Sequence, residues 1–406
     1  MRRNPAMSQP HLKPYPQYKD SGIAWLGEVP EHWELVMLKR RMKLRYGDAL
    51  ANDNREDGDI KVYGSNGSVG LHNTVNTKAP AIVVGRKGSF GKVVWAENGG
   101  FVIDTAYSID ANCTNLNLRW LYYLLQPLGL DTLSQDTGVP GLAREAVYGI
   151  KMVIPSLNEQ TVIAEFLDRE TGKIDELVAE QRRLIDLLKE KRQAVISHAV
   201  TKGLNPNAPM KDAGIEWLGE IPSHWDIKRL RHFAEVLRGK FTHRPRNDPA
   251  FYDGAYPFIQ TGDITSSSRY ITEFRQTLNE RGASVSKEFP KGTLVMAIAA
   301  NIGDVAVLDF PAYFPDSIVG LVPKENVELM FMFYLMMAMK QPMLMTATVS
   351  TQLNLNVDQI VSLTAACPPI SEQLAIVAFL DRQLEKFDEL ISQAERAIEL
   401  LQERRT

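Results

Sequence analysis

The strongest constraint on this chain is that it contains two stretches twice. "PSLNEQTVIAEFLDRETGKIDELVAEQRRLIDLLKEKR" (Pro155–Arg192) aligns without a gap with "PPISEQLAIVAFLDRQLEKFDELISQAERAIELLQERR" (Pro368–Arg405), and eighteen of thirty-eight positions are identical. Earlier in each half, "KDSGIAWLGEVPEHWEL" (Lys19–Leu35) recurs as "KDAGIEWLGEIPSHWDI" (Lys211–Ile227), with eleven of seventeen positions identical. Matches of this length point to internal duplication, so the fold has to be built from two similar halves. Each half runs Gly-Trp-Pro phrase, globular region, helical segment. The offset between copies is 192 residues at the front and 213 at the back, which makes the second globular region 21 residues longer.

The longer repeat has the period of a helix. Each copy starts after proline with Asn or Ser and then Glu-Gln, a helix-start pattern. Apolar residues recur at spacings of three, four and seven: Ile163, Leu167, Ile174, Leu177, Leu184 and Leu188, matched by Ile376, Leu380, Phe387, Leu390, Ala397 and Leu401. This predicts a coiled-coil-like seam. Thirty-eight residues at about 1.5 Å each make a rod of roughly 57 Å. Two such helices running antiparallel bury their seams against each other with pseudo-two-fold symmetry.

Composition sorts the remaining classes. At 406 residues, the chain is long enough for two or three domains. Its two cysteines, Cys113 and Cys367, form neither a disulfide framework nor a zinc pattern, which fits a reducing cytoplasm. The basic start "MRRNPAMSQP" has no apolar stretch behind it, so no signal peptide is expected. The longest apolar run, "LMFMFYLMMAM" (Leu329–Met339), is eleven residues, too short for a bilayer, and reads as a buried helix. The net charge of −3 conceals a split: Val36–Ile154 holds 14 basic against 11 acidic residues and Lys228–Cys367 holds 14 against 13. The helical segments hold 7 against 9 and 5 against 8, so acidity sits on the helices and nucleic-acid contact stays open for the globular regions.

Those regions have diverged without losing their alignment. "VGRKGSFGKVVW" lies opposite "MAIAANIGDVAVL", and Asp104 of "VIDTAYS" faces Asp316 of "FPDSIVG". Short β-rich runs broken by glycine predict a small strand-dominated unit in each half. Polar loop phrases differ: "YGSNGSVG" and "GRKGSFGK" in the first half, "QTGDITSSSR" and "VSTQLNLN" in the second. Such side chains on glycine-backed loops can reach bases and phosphates. They are also ordinary turn chemistry, and the residues leave both readings open. Catalytic constellations are missing: "GRKGSFGKV" has the wrong spacing for a phosphate loop and Val93 where Ser or Thr belongs, and there is no HExxH. No catalytic or metal site is assigned, and binding is favoured over catalysis.

With these phrases in place, the chain resembles the specificity subunit of a type I restriction–modification enzyme. The duplicated "GIAWLGEVPEHW"/"GIEWLGEIPSHW" and "EFLDRETGKIDEL"/"AFLDRQLEKFDEL" carry the resemblance. It implies an α+β fold in which two strand-rich target-recognition domains are separated by a pair of long antiparallel coiled-coil-like helices, with a pseudo-two-fold internal repeat. The expected layout is an N-terminal tail over 1–17, recognition domain 1 over 18–154, helix 1 over 155–200, linker over 201–210, recognition domain 2 over 211–367 and helix 2 over 368–406. Each domain would read one half of a split sequence in double-stranded DNA. A rod of that length caps their separation near about 17 base pairs. Two modification (methyltransferase) subunits would dock on the repeats and restriction subunits would join for cleavage. S-adenosylmethionine, ATP and Mg2+ would belong to those partners, with no cofactor in this chain and no membrane.

The candidate DNA contacts are Tyr63, Ser65, Asn66, Arg86, Lys87, Ser89 and Lys92 in the first half. In the second they are Arg238, Lys240, Arg244, Gln260, Thr261, Asp263, Thr351, Gln352 and Asn354. The rival reading is a protein-interaction scaffold of duplicated domains without DNA preference.

Overall fold

The computed structural model describes residues 14–133, 140–346, 348–349 and 353–405. The chain divides into two compact units: one runs to Leu177 and takes in the segment from Leu401, the other is Val178–Leu400. Both long helices cross this division. They span Leu157–Lys202 and Ile370–Arg405, so the first runs further than its repeat copy and absorbs Thr201 and Lys202, placed in the linker on sequence.

The first unit is built on a four-stranded antiparallel sheet. Its order is Arg45–Tyr46, Ala106–Ile109, Ala81–Gly85, Val93–Ala96. The run "AIVVG" (Ala81–Gly85) is buried throughout because the sheet is covered on both faces. On one face Ile82, Val84, Tyr107 and Ile109 pack with Trp120, Leu121 and Leu125 of the helix Leu118–Leu125. On the other, Ala81, Val83 and Ala106 pack with Tyr63 and Val102 of a three-stranded sheet.

In the second unit the main sheet has five strands, ordered Ala234–Arg238, Ile318–Pro323, Leu294–Ala297, Val305–Leu308, Tyr270–Ile271. The apolar run noted above forms the helix Leu329–Ala338, with all but Leu329 and Met337 buried in the core beneath this sheet. Among the described residues no helix is long and apolar enough to cross a membrane.

Strand register shows that the two sheets are copies. Tyr107 pairs with Tyr46 on one side and Val84 on the other, and Val319 pairs with Arg238 and Met296. Val319 lies 212 residues after Tyr107, Met296 lies 212 after Val84, and Arg238 lies 192 after Tyr46. Most of the extra length of the second half therefore enters between the strands Ala234–Arg238 and Leu294–Ala297. That stretch holds the short helices Thr261–Ser266 and Glu280–Ser284.

The duplicated phrases meet at the start of each long helix. His32 Nε2 lies 2.8 Å from Glu159 Oε1, and Trp33 Nε1 donates to the same oxygen at 3.2 Å. In the second unit His224 Nε2 lies 2.6 Å from Glu372 Oε1, and Trp225 Nε1 donates to Oε2 at 2.9 Å. The next residue is a buried glutamine in both. Gln160 accepts from the Asn117 N–H at 2.8 Å and donates to Pro155 O at 2.8 Å; Gln373 accepts from the Glu328 N–H at 2.9 Å and donates to Pro368 O at 2.9 Å. Asn117 and Glu328 are the N-caps of the short core helices. One Glu-Gln pair thus ties the Gly-Trp-Pro phrase, the core helix and the long helix together.

A second shared tie lies one turn pair further on. Tyr123 and Arg119 both bond Asp168 Oδ1 at 2.6 Å, while Tyr334 and Arg269 bond Asp381 Oδ1 at 2.5 and 2.6 Å.

The helix seam needs a correction in phase. Ile174, Leu188, Ile376, Leu380 and Phe387 are buried, and Ile163, Leu167, Ala397 and Leu401 are half-buried. Leu177, Leu184 and Leu390 are exposed by 43, 43 and 47%. Their places are taken by the next residues, Val178, Ile185 and Ile391, of which Ile185 is buried and the others half-buried. The covered positions step by four and three: 174, 178, 181, 185, 188 on the first helix and 380, 384, 387, 391, 394 on the second. One residue is about 100° of helix rotation, so leucines one step out of phase point to solvent.

Two outcomes are expected. Burial pushes the Glu159 carboxyl up, but hydrogen bonds from Ser156, His32 and Trp33 outweigh it and hold the pKa at about 2, below the ordinary 4.5. A depressed folded pKa gives stability that is complete above the unfolded value and lost as pH falls toward the folded one. Acid unfolding of the first unit between pH 4.5 and 2 should therefore be less steep in Glu159→Gln, read by circular dichroism. Gln373→Leu strands the Glu328 N–H and the Pro368 and Asn326 carbonyls. It should cost about 3 kcal/mol in guanidinium unfolding.

Candidate nucleic-acid interface

The two polar loop phrases of the first unit are packed together by backbone. "YGSNGSVG" supplies the hairpin between strands Ile60–Gly64 and Gly67–His72, with Ser65 and Asn66 at its turn. A side chain at Gly85 would stand 2.5 Å from Ser65 O and 2.6 Å from Ser89 O, so only glycine lets the loops close on each other. Lys92 Nζ then reaches across to Asn66, donating to its backbone oxygen at 3.1 Å and to Oδ1 at 2.9 Å. Asn66, Lys87, Ser89 and Lys92 are exposed, and Ser65 and Arg86 are half-buried.

Arg86 follows the central strand, and its Nη1 donates to Asp104 O at 3.0 Å. Its guanidinium lies 4.7 Å from the Tyr46 ring centre, and Arg144 lies 4.4 Å from the same ring. Tyr46 is 42% exposed, so a half-open aromatic ring carries two cations at the sheet end. Lys87 Nζ is 3.6 Å from Asp104 Oδ2.

In the second unit the cluster forms around Asp316. Arg238, the last residue of the edge strand, donates from Nε to Asp316 O at 2.8 Å. Arg246 Nη2 is 2.5 Å from Asp316 Oδ1 and Arg244 Nη2 is 3.7 Å from Oδ2. Arg244 is further fixed by donating to the Phe241 and His243 carbonyls at 2.6 and 2.7 Å. Arg238, Lys240, Arg244 and Arg246 are all exposed.

Other expected contacts are placed differently. Tyr63 is 6% exposed and belongs to the core with Ala81, Val83 and Val102; its ring lies 2.8 Å from where a side chain on Gly100 would stand. The phrase read as a loop opens with two strand residues, which turns this ring inward. Gln260 and Asp263 form a capping box at the helix Thr261–Ser266, with the Gln260 N–H donating to Asp263 Oδ2 at 2.8 Å. Asp263 is buried and Gln260 also donates to Gln276, so their polar atoms serve the fold; Thr261 is half-buried at the first position of that helix. Thr351 and Gln352 lie outside the described residues, and Asn354 belongs to the short strand Leu353–Asn354. Sequence reasoning missed Tyr46, Arg144 and Arg246. Only Arg246, two residues after Arg244 in "HRPR", carried a local signal. Among the described residues no cluster of His, Cys, Asp or Glu is arranged to hold a metal.

The model of the type I restriction modification DNA specificity domain matches residues 30–185 and 222–400. The chain belongs to this family. It is 21% identical over 266 residues to the MjaVIII type I restriction enzyme specificity subunit of Methanocaldococcus jannaschii, covering 62% of this chain and 59% of that protein. It is 25% identical over 228 residues to the EcoDI specificity subunit of Escherichia coli, covering 52% of this chain and 50% of that protein. The chain thus spans half to three-fifths of the length of these relatives. Its fold is similar to a chain solved for the structural basis of complex assembly and conformational transition of the type I R-M system, with TM-score 0.70, 14% identity and coverage of 93% of this chain and 96% of that one. The HsdS subunit of Thermoanaerobacter tengcongensis gives a TM-score of 0.50 at 14% identity, covering 93% and 97%.

Proposed function

We propose that this chain is the DNA-reading subunit of a type I restriction–modification complex, with each unit reading one half of a split target. The observation that carries this is the pair of cation clusters at matching ends of two copied sheets, Arg86, Lys87 and Arg144 in one and Arg238, Arg244 and Arg246 in the other. Half-buried guanidiniums beside a half-open ring in one unit, and exposed arginines in the other, suit phosphates and base edges. Divergence of the loops between copies suits two unlike half-sites.

Two modification subunits dock on the duplicated phrases, and restriction subunits join for cleavage. The chain itself does no chemistry. S-adenosylmethionine, ATP and Mg2+ belong to the partners, and the complex works in the cytoplasm. The long helices pair antiparallel as a coiled-coil-like spacer between the recognition domains. Two ion pairs support this pairing: Asp175 with Arg405 at 2.8 Å and Arg192 with Asp388 at 2.7 Å. Seventeen residues forward on one helix match seventeen backward on the other. The 4-3 spacing of covered residues supports it further.

The test is protection of DNA by the chain reconstituted with modification subunits. Two protected blocks at a fixed spacing are expected. Binding without sequence preference would return the reading to a protein scaffold. Within that complex, Lys87→Ala should weaken binding and lower the slope of log affinity against log salt by about 1. An unaltered slope removes Lys87 from the phosphate contacts.

A further inference from the structure

Asp104 and Asp316 stand at one place in two sheets. Each lies two residues before the strand that occupies the same position, Ala106–Ile109 in one unit and Ile318–Pro323 in the other. In each unit a guanidinium donates to the aspartate's backbone oxygen, Arg86 at 3.0 Å and Arg238 at 2.8 Å. In each, further cations meet the carboxylate: Lys87 at 3.6 Å, Arg246 and Arg244 at 2.5 and 3.7 Å.

The cations do not correspond. Register puts Arg238 opposite Tyr46, on the edge strand, while Arg86 follows the central strand at the position that Ile298 holds in the second unit. Two different strands therefore deliver a guanidinium to the same acceptor. The loops around it have otherwise lost their likeness. What both units retain is the anion and the place of the cation beside it, not the residue that brings the cation.

Resting on the DNA-reading proposal, we infer that Asp104 and Asp316 are positioning residues for half-site discrimination, each holding its cluster in one geometry and lowering its attraction for phosphate. A long cationic side chain left mobile binds any backbone equally well. One anchored to a carboxylate meets DNA in one place, gives up part of its sequence-independent attraction and reports base differences more sharply. The anchoring carboxylates remain partly open, with side chains 49 and 33% exposed, so an approaching phosphate competes with them directly.

The test selects bound molecules from a random-sequence duplex pool with the full chain and modification subunits, alongside salt titrations on the unselected pool. Asp104→Asn should erode the selected bases of one half-site and Asp316→Asn those of the other. Each should raise affinity for the unselected pool about threefold, the scale of one exposed ion pair, and steepen the salt slope by about 0.9 for each cation released to phosphate. Arg246→Ala removes a cation instead of the anion. It should erode the same half as Asp316→Asn while moving pool affinity and slope in the opposite direction. Merely structural damage moves both variants the same way, and that result overturns the inference, as do intact half-sites with unchanged slopes. A wild-type chain that selects no two-part sequence overturns the DNA-reading proposal and this inference with it.

Discussion

At the start of each long helix, a glutamate and the glutamine after it accept hydrogen bonds from residues far away in sequence. Glu159 is 127 positions from His32 and Gln160 is 43 from Asn117; Glu372 is 148 from His224 and Gln373 is 45 from Glu328. Both glutamines are buried, at 1 and 0% exposure, where an unmade hydrogen bond is expensive and a made one specifies a single arrangement. The rest of each unit depends on this node. It sets where the long helix leaves the domain, where the core helix starts, and how the His-Trp phrase closes over both. It also answers why the same words recur: the His-Trp pair of one phrase and the glutamate of the other bond each other in both units.

The node explains what was legible in advance. Residues that answer each other across a long separation are constrained on both sides, so "HW", "EQ" and "FLDR" survive duplication and can be read by eye. The alignment of "VIDTAYS" with "FPDSIVG" survives for a related reason, because sheet register ties each position to two neighbours. The seam was legible only in period. Leu177, Leu184 and Leu390 lie next to the covered residues Val178, Ile185 and Ile391, and in a leucine-rich helix side-chain size alone does not choose between adjacent positions. Gln181 and Ala394, the positions where the copies differ in polarity, are covered all the same.

Candidate contact residues were less legible because their chemistry is shared with folding. Asp263 and Gln260 are the residue types expected at a DNA edge and equally those of a helix cap, and the capping box claims them. Tyr63 begins a glycine-rich phrase but stands on the last buried positions of a strand. Tyr46 and Arg144 went unnoticed because they are 98 residues apart, and only the fold brings the guanidinium over the ring.

The same contrast appears at the two carboxylates of the long helices. Asp168 and Asp381 occupy equivalent places and each accepts from a tyrosine of the core helix, Tyr123 or Tyr334. The arginine beside the tyrosine has a different origin in each unit. Arg119 stands on the core helix itself, whereas Arg269 comes from the segment before the strand Tyr270–Ile271, in the stretch that is longer in the second half. Acceptors are short and held by backbone register, so a copied fold keeps them in place. An arginine reaches its partner along a flexible stem with five donors and can do so from several starting points. A duplicated fold can therefore exchange its cations from strand to strand without disturbing the anions and hydrogen bonds that fix the frame.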